Sequence, residues 1–489
     1  MARCIMVQGT MSGAGKSLLV TALCRIFRQD GWRVAPFKSQ NMALNSYITK
    51  DGLEMGRAQV AQAEAAGLDA DVRMNPVLLK PSSDTGSQLI VCGKVRGQYC
   101  ASEYYKMKQT LIPEVLRAYH SLAQENDILV IEGAGSPAEI NLRDGDFVNM
   151  GLAEMVDAPV ILVGDIDRGG VFAQLYGTVA LLAPEERKRI VGTVINKFRG
   201  DVELLRPGLS MLEEKTGVPV LGVVPYTQVD IDDEDSLSPR LGHTYSSRAL
   251  DIAVIRLPHI SNFTDFSPLE MNPALGVRYV ESVKTLGAPD MVMLPGTKST
   301  MADLAWMRQN GLEAALKKLV AKGIPLMGIC GGYQMLGERL EDPDGVEQTG
   351  VMRGMGLLPC VTRFSKQKIR TRVTARVCSD PFNGAELEGY EIHMGHTQNE
   401  GASPFCLFPD GTQEGAVKGS VFGTYLHGLF DSGELTEKMA EWLLDRKGVS
   451  FAHSVVRNYA QYKQEQYDLL ADAVRSSLDI HALYQAMKI

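Results

Sequence analysis

Two short stretches of this chain hold residues able to do chemistry. The first, Gly9 to Ser17, reads G-T-M-S-G-A-G-K-S. Where a strand runs into a helix through such a loop, the unpaired N–H groups of the first helical turn point at a bound phosphate. Lys16 can then reach the outer phosphates and Ser17 can ligate Mg2+, so Thr10, Gly13, Gly15, Lys16 and Ser17 are the candidate ATP-binding residues. The loop is a variant. The position that the strict P-loop spacing gives to glycine holds Thr10, and the glycine stands one place earlier at Gly9.

The second stretch, Gly328 to Gln334, reads G-I-C-G-G-Y-Q. A thiol on a sharp strand-to-helix turn stands at the edge of a sheet, and the helix N-terminus favours its thiolate. Cys330 is therefore a candidate nucleophile, with the N–H of Gly331 and a second donor from Gly296, in L-P-G-T, facing an oxyanion. A thiolate needs a base or an ion-pair partner. His427, in G-T-Y-L-H-G, is the first candidate, and His393 and His396, in E-I-H-M-G-H, are its rivals. A phosphate loop and a nucleophilic thiol in one chain point to ATP activating one substrate while the thiol cleaves another, the logic of a glutamine-dependent amide synthetase.

Phosphoryl transfer also calls for carboxylates around Mg2+. Glu132 closes an apolar run and precedes Gly-Ala-Gly, and Asp165 and Asp167 follow another. Ser17, Glu132 and Asp165 form the expected metal set, Asp144 and Asp146 are further acids in this region, and Asn196-Lys197 can touch the nucleotide base.

These residues need a scaffold that presents them together. Short β-branched runs at Cys4–Gln8, Arg33–Phe37, Gln88–Cys92, Asp127–Ile131, Pro159–Val163, Ile190–Ile195 and Val218–Val223 alternate with helical patterns at Lys16–Gln29, Glu54–Ala66 and Glu103–Gln124. That rhythm predicts an α/β fold with a mainly parallel, doubly wound sheet, whose ligands bind at the carboxyl ends of strands. The stretch Tyr226–Leu250, with Asp-Asp-Glu-Asp and many Ser, Pro and Gly, reads as a linker. Strands then resume at Asp251–Leu257, Asp290–Leu294 and Pro325–Ile329, with others near Val373–Val377, Tyr390–Ile392 and Val421–Tyr425, and the chain is helical from Leu435. The expected division is a synthetase domain over 1–228, a linker over 229–250, a thiol-bearing domain over 251–445 and a helical tail over 446–489.

Composition narrows the class. The chain has 489 residues, enough for two or three domains at roughly 150 residues each. A net charge of −8 argues against a nucleic-acid partner. No apolar run reaches the ~18 residues that span a bilayer, and Met1–Gln8 reads as a first strand, not a signal peptide. The eight cysteines show no C-x-x-C pairing and the eight histidines no metal-binding spacing, so reduced thiols and a cytoplasmic location are expected.

The cysteine turn, the segment L-P-G-T-K-S-T and the distant histidine resemble a class I glutamine amidotransferase. The strings P-F-K-S-Q-N-M-A-L-N-S (36–46), E-M-G-R-A-Q (54–59), E-G-A-G-S-P-A-E-I-N-L (132–142), D-I-D-R-G-G-V-F (165–172), N-K-F-R-G-D (196–201) and P-H-I-S-N-F-T-D-F (258–266) resemble the cobyric acid synthase family, and they span most of the chain. The resemblance implies a dethiobiotin synthetase-like P-loop domain followed by a flavodoxin-like amidotransferase domain. It implies that Cys330 attacks glutamine, with Gly296, Gly331 and Gln334 holding the oxyanion and the glutamine, and that ATP and Mg2+ activate the carboxylates of a corrinoid, (adenosyl)cobyrinic acid a,c-diamide, for four amidations. Ser39, Gln40, Asn41, Asn45 and Asp146 become the candidate substrate residues. Many such domains carry Glu two residues after the histidine; here Leu429 stands there, and the resemblance implies a Cys–His pair without a third member. The family often has Asp where this chain has Gly13, and Arg or Glu where it has His396. An acyl phosphate exposed to water would hydrolyse, so a shielded transfer of ammonia is expected. Three other readings stay open: a cobyrinic acid a,c-diamide synthase; a partitioning-type P-loop ATPase switch, against which Met11 counts by standing where those proteins carry a second lysine; and a cobalamin-binding regulator with an inactive amidotransferase domain, against which the intact Cys330 and His427 count.

Overall fold

A computed structural model describes residues 2–81, 86–231, 248–450 and 458–489. The chain forms two compact units, one of Met1–Met42, Glu54–Asp232 and Lys463–Ile489 and one of Ala43–Leu53 and Asp233–Tyr462. The expected division was contiguous; the compact units are not. Ala43–Leu53 leaves the first unit for the second, and the last helices return to the first. The segment 232–247, within the expected linker, and 451–457, within the expected tail, lie outside the described residues.

The first unit is built on a parallel sheet in the order Val220–Pro225, Ile190–Phe198, Val160–Asp165, Arg3–Gly9, Ile128–Glu132, Val34–Phe37. Strands covered on both faces read as continuous apolar runs, as in Val160–Asp165, buried throughout. The chain begins in the middle of this sheet and is wound outward both ways, so Arg3–Gly9 marks the switch point where ligands bind. Its two neighbours end in Glu132 and Asp165. The helix Lys16–Gln29 buries Leu19, Val20, Leu23, Ile26 and Phe27 in a core shared with Tyr467, Leu470, Val474, Leu483 and Met487 of the last two helices. Arg25 pairs with Asp468 at 2.7 Å across that junction. The returning helices thus complete the core of the first unit.

Three expectations are corrected. The strand near Gln88–Cys92 is Gly86–Val91 and lies outside the parallel sheet, paired antiparallel with Val77–Pro81 and Lys94–Cys100. The helix expected over Glu103–Gln124 is broken into Ala101–Met107, a 3-10 turn Lys108–Leu111 and Ile112–Glu125, because Pro113 fits only the first turn of a new helix. The helix expected from Glu54 starts at Arg57.

In the second unit the parallel strands run Leu275–Val280, Leu250–Ile255, Met291–Leu294, Leu326–Ile329, Val421–Thr424, with Ala416–Lys418 antiparallel at the edge. Beside them lies an antiparallel hairpin of Cys360–Val377 and Glu386–Asn399, of which the sequence indicated only fragments. Leu426–His427 pairs with that hairpin, setting His427 opposite Tyr390. None of the described helices is long and apolar enough to cross a membrane.

Candidate active site

In the first unit the loop after Arg3–Gly9 opens the helix Lys16–Gln29 through Gly15, in the left-handed region at φ 96. A Cβ there would lie 2.0 Å from Asn196 Nδ2, so both the backbone and the space require glycine. Asn196 donates to the Ala14 carbonyl at 3.0 Å, and Lys197 donates to the Gly13 carbonyl at 2.7 Å. The strand Ile190–Phe198 therefore grips the phosphate loop. Thr10 donates to Gln174 at 3.1 Å. The Lys16 ammonium spans the loop, donating to the carbonyls of Met11 at 3.1 Å and Gly135 at 3.0 Å.

Ser17 Oγ donates to Glu132 at 2.8 Å, so these two expected metal ligands meet. Asp165 is committed elsewhere, paired with Lys197 at 2.8 Å and accepting from the Asp167 N–H at 2.9 Å. Asp167 pairs with Arg199 at the surface, and Asp144 is exposed. Among the described residues no cluster of three or more His, Cys, Asp or Glu could hold a metal alone. Ser17 and Glu132 are hard oxygen donors of the kind that bind Mg2+ together with nucleotide phosphates, which fits an ion that arrives with its nucleotide. Glu132 is 1% exposed and also accepts from Lys38 at 2.8 Å and Gln62 at 2.5 Å. The sequence reading passed over both. Lys38 had a signal, since it directly follows Val34–Phe37 at the carboxyl end of the sheet.

The candidate substrate residues are only partly gathered. Ser39 is buried, and its Oγ has no partner among the described residues. Asn41 donates to Gln59 at 2.9 Å, and Gln40 accepts from the Tyr104 hydroxyl. Asn45 falls in the segment that belongs to the second unit. Asp146 is occupied within its own loop. Its carboxylate accepts from the N–H groups of Val148, Asn149 and Gly151 at 2.8, 3.0 and 2.9 Å, which caps the helix Met150–Met155.

In the second unit three adjacent parallel strands deliver the other cluster from their carboxyl ends. Leu326–Ile329 ends in Cys330, Met291–Leu294 leads to Gly296 and Val421–Thr424 leads to His427. Cys330 has φ 52 and ψ −110, a strained turn that ordinary L residues avoid. Its N–H donates to the Thr424 carbonyl at 2.8 Å. A Cβ on Gly331 would lie 2.6 Å from Thr297, and one on Gly332 2.0 Å from the Leu294 carbonyl, so glycine alone lets the turn approach the 294–297 loop. A Cβ on Gly296 would lie 3.1 Å from His427 Cε1, which sets that loop against the imidazole.

The Cys330 thiol donates to the Ile392 carbonyl at 3.6 Å, and Cys330 lies near enough to His427 to favour charge on its imidazole. Burial works against charge on His427, but the carboxylate of Asp265 and the proximity of Cys330 outweigh it and push the imidazole up to about 10. His427 therefore stands protonated at neutral pH. The rivals are placed otherwise: His396 is exposed, and His393 stacks on Tyr425 at 3.7 Å with Nδ1 at the Gly395 carbonyl. Burial raises the thiols of Cys4, Cys24, Cys92, Cys360, Cys378 and Cys406 away from the thiolate. Gln334 is bound within the fold, accepting from Thr300 at 3.0 Å and donating to Tyr425 at 3.1 Å and the Met394 carbonyl at 3.3 Å, so its side chain braces the turn.

The position two residues after His427 offers no partner for the imidazole, but a carboxylate reaches it from elsewhere in the unit. Leu429 is a core residue, but His427 Nδ1 faces Asp265 Oδ2 at 2.6 Å. The sequence reading quoted Asp265 within P-H-I-S-N-F-T-D-F and gave it no role.

Comparison with known proteins agrees with this two-part chemistry. A family model described as "CobQ/CobB/MinD/ParA nucleotide binding domain" matches residues 5–238, and one described as "CobB/CobQ-like glutamine amidotransferase domain" matches residues 251–435. A protein of Ruminiclostridium cellulolyticum named cobyric acid synthase is 58% identical over 100% of this chain and 98% of its own length. Proteins of the same name from Lachnoclostridium phytofermentans and Photorhabdus laumondii are 55% and 52% identical, covering 100% and 99% of this chain and 99% and 98% of their own.

Proposed function

The chain belongs to the cobyric acid synthase family, ATP-dependent, glutamine-hydrolysing amide ligases, and from that premise we propose how its own residues divide the work. The observation that carries the reading is Cys330 on its strained turn at a strand end, with His427, held at Nδ1 by Asp265 at 2.6 Å, delivered beside it by the adjacent strand.

The Cys330 thiolate attacks the side-chain amide carbon of glutamine. The oxygen gains charge and is met by backbone N–H groups around Gly331 and the Gly296 loop. His427 gives its proton to the departing nitrogen, and ammonia leaves a thioester behind. Water then hydrolyses the thioester to glutamate, its proton returning to His427.

In the first unit a substrate carboxylate attacks the γ-phosphorus of ATP, releasing ADP and forming an acyl phosphate. Ammonia attacks the acyl carbon and phosphate departs, leaving the amide. Gly13, Gly15 and Lys16 hold the phosphates, Asn196 fixes the loop, and Lys38 lies where a second cation can offset charge on the transferring group. Ser17 and Glu132 would hold Mg2+, which supplies charge neutralisation at the phosphates. Asp165 would join them on leaving Lys197.

The substrate we assign is a corrinoid, (adenosyl)cobyrinic acid a,c-diamide, amidated at its b, d, e and g carboxylates. The density of amide and hydroxyl groups at Ser39, Gln40 and Asn41, at the carboxyl end of the sheet, supports a polycarboxylate ligand. Incubation with adenosylcobyrinic acid a,c-diamide, glutamine, ATP and Mg2+, followed by mass spectrometry, is expected to give a ladder ending at four added amides. Folded protein that amidates cobyrinic acid but not its a,c-diamide would transfer the chain to the earlier step.

A further inference from the structure

Two residues after His427 stands Leu429, buried in the core, so that position supplies no carboxylate to the imidazole. An imidazole that gives and takes back a proton needs its ring held and, in its neutral state, its tautomer fixed. We infer that Asp265 is the positioning residue for His427, supplying from the loop at the start of the domain the carboxylate that is absent after the histidine. The inference rests on the reading of Cys330 and His427 as the glutaminase pair.

The geometry is specific at both oxygens. Asp265 Oδ2 faces His427 Nδ1 at 2.6 Å, and Oδ1 accepts from the Gly428 N–H at 2.9 Å. One carboxylate thus holds the ring and the backbone of the next residue, so the imidazole can neither rotate nor slide. With Nδ1 occupied, Nε2 is the nitrogen turned to Cys330. Asp265 is 4% exposed and His427 1%, so water does not dilute the pair.

The loop that carries Asp265 is itself anchored. Phe263 and Phe266 on either side are buried in the core of the second unit. The Asp265 N–H donates to the Asn262 carbonyl at 3.0 Å, and Asn262 sits at φ 52, turning the chain inward. Asn262 Nδ2 donates to the Tyr390 hydroxyl at 3.1 Å, and the Tyr390 ring stacks on His427, centroids 5.5 Å apart and planes at 21°. The carboxylate and the ring that covers the imidazole therefore share one support. The neighbouring pair His259–Asp303, at 2.7 Å, has a similar look but a different duty, since Asp303 also accepts from Thr297 and organises the 297–299 turn.

The test compares the full-length wild type with D265N and D265E. Asn at this position can still accept from Gly428 but offers an N–H to His427 Nδ1, favouring the wrong tautomer. Glutaminase kcat is expected to fall about 10²–10⁴-fold in D265N, with KM for glutamine changed by less than about threefold. The alkaline limb of kcat is expected in the wild type at the raised His427 value of about 10, and in D265N to move down toward the ordinary histidine range. D265E, which restores the charge, is expected to recover at least about tenfold over D265N. A D265N enzyme with wild-type kcat, or one whose kcat falls while the alkaline limb stays in place and D265E recovers nothing, overturns the inference. A wild type without glutaminase overturns the reading beneath it instead.

Discussion

The hydroxyl of Tyr390 donates to the carbonyl of Ser46 at 3.2 Å, tying a residue from the first tenth of the chain to the ring that covers His427. Ser46 completes the circuit by donating its N–H to Asn262 Oδ1 at 3.3 Å. Ala43–Leu53 is thus a structural part of the second unit, although it follows directly on Ser39, Gln40 and Asn41 of the first. Removing the hydroxyl leaves the stack intact but strands buried partners on both sides. Tyr390→Phe is expected to destabilise the second unit by about 1–3 kcal/mol in urea denaturation. An unchanged midpoint would mean that the circuit contributes nothing.

The His427–Asp265 pair makes stability depend on pH with a definite sign. His427 has an ordinary value of 6.5 and is raised to about 10 in the fold, so the folded state holds the proton more tightly. Its contribution is complete below about 6.5 and is lost as pH rises through about 10. Denaturation midpoints from pH 6 to about 10.5 are expected to fall more steeply for the wild type than for His427→Gln. Parallel curves would contradict the raised value.

Glu414 is a raised carboxylate with its own pH window. Burial pushes it up to about 7, against the N–H of Tyr425 at 2.6 Å and the hydroxyl of Thr424 at 2.7 Å, which favour its charge. The protonated form is favoured in the fold, so its contribution is full below 4.5 and lost as pH rises through about 7. Glu414→Gln is expected to flatten the stability curve between those limits, measured by thermal unfolding at several pH values. A variant that keeps the wild-type slope would assign the slope to another group.

Much of this was legible in the sequence where a motif is local. The helix Lys16–Gln29, the phosphate loop and the cysteine turn are each written in one run of residues, and each formed where expected. The pair Asp265–His427 was not legible, because its members lie 162 positions apart and no periodicity links them. The hairpin Cys360–Val377 and Glu386–Asn399 was hidden by its charge. A strand with one solvated face alternates Lys and Arg with apolar residues, which masks the apolar run. Lys38 was quoted but given no role, since a lysine after a strand reads as a surface charge until Glu132 is seen beside it.

Gly15 offers a test confined to the nucleotide half. Alanine there would have to hold φ 96 and place its Cβ 2.0 Å from Asn196 Nδ2. Gly15→Ala is expected to weaken binding of a fluorescent ATP analogue at least about tenfold, from strain of about 1–3 kcal/mol, with glutaminase activity retained. Wild-type affinity in the variant would remove the loop from the nucleotide site.

The division of chemistry between the two units is tested most directly by nitrogen source. Cys330→Ala would be assayed for corrinoid amidation with ATP and Mg2+, once with glutamine and once with ammonium. Amidation lost with glutamine and kept with ammonium is the expected result, since the proposed division gives Cys330 the release of ammonia and no part in activating the carboxylate. Full amidation from glutamine by Cys330→Ala would contradict it.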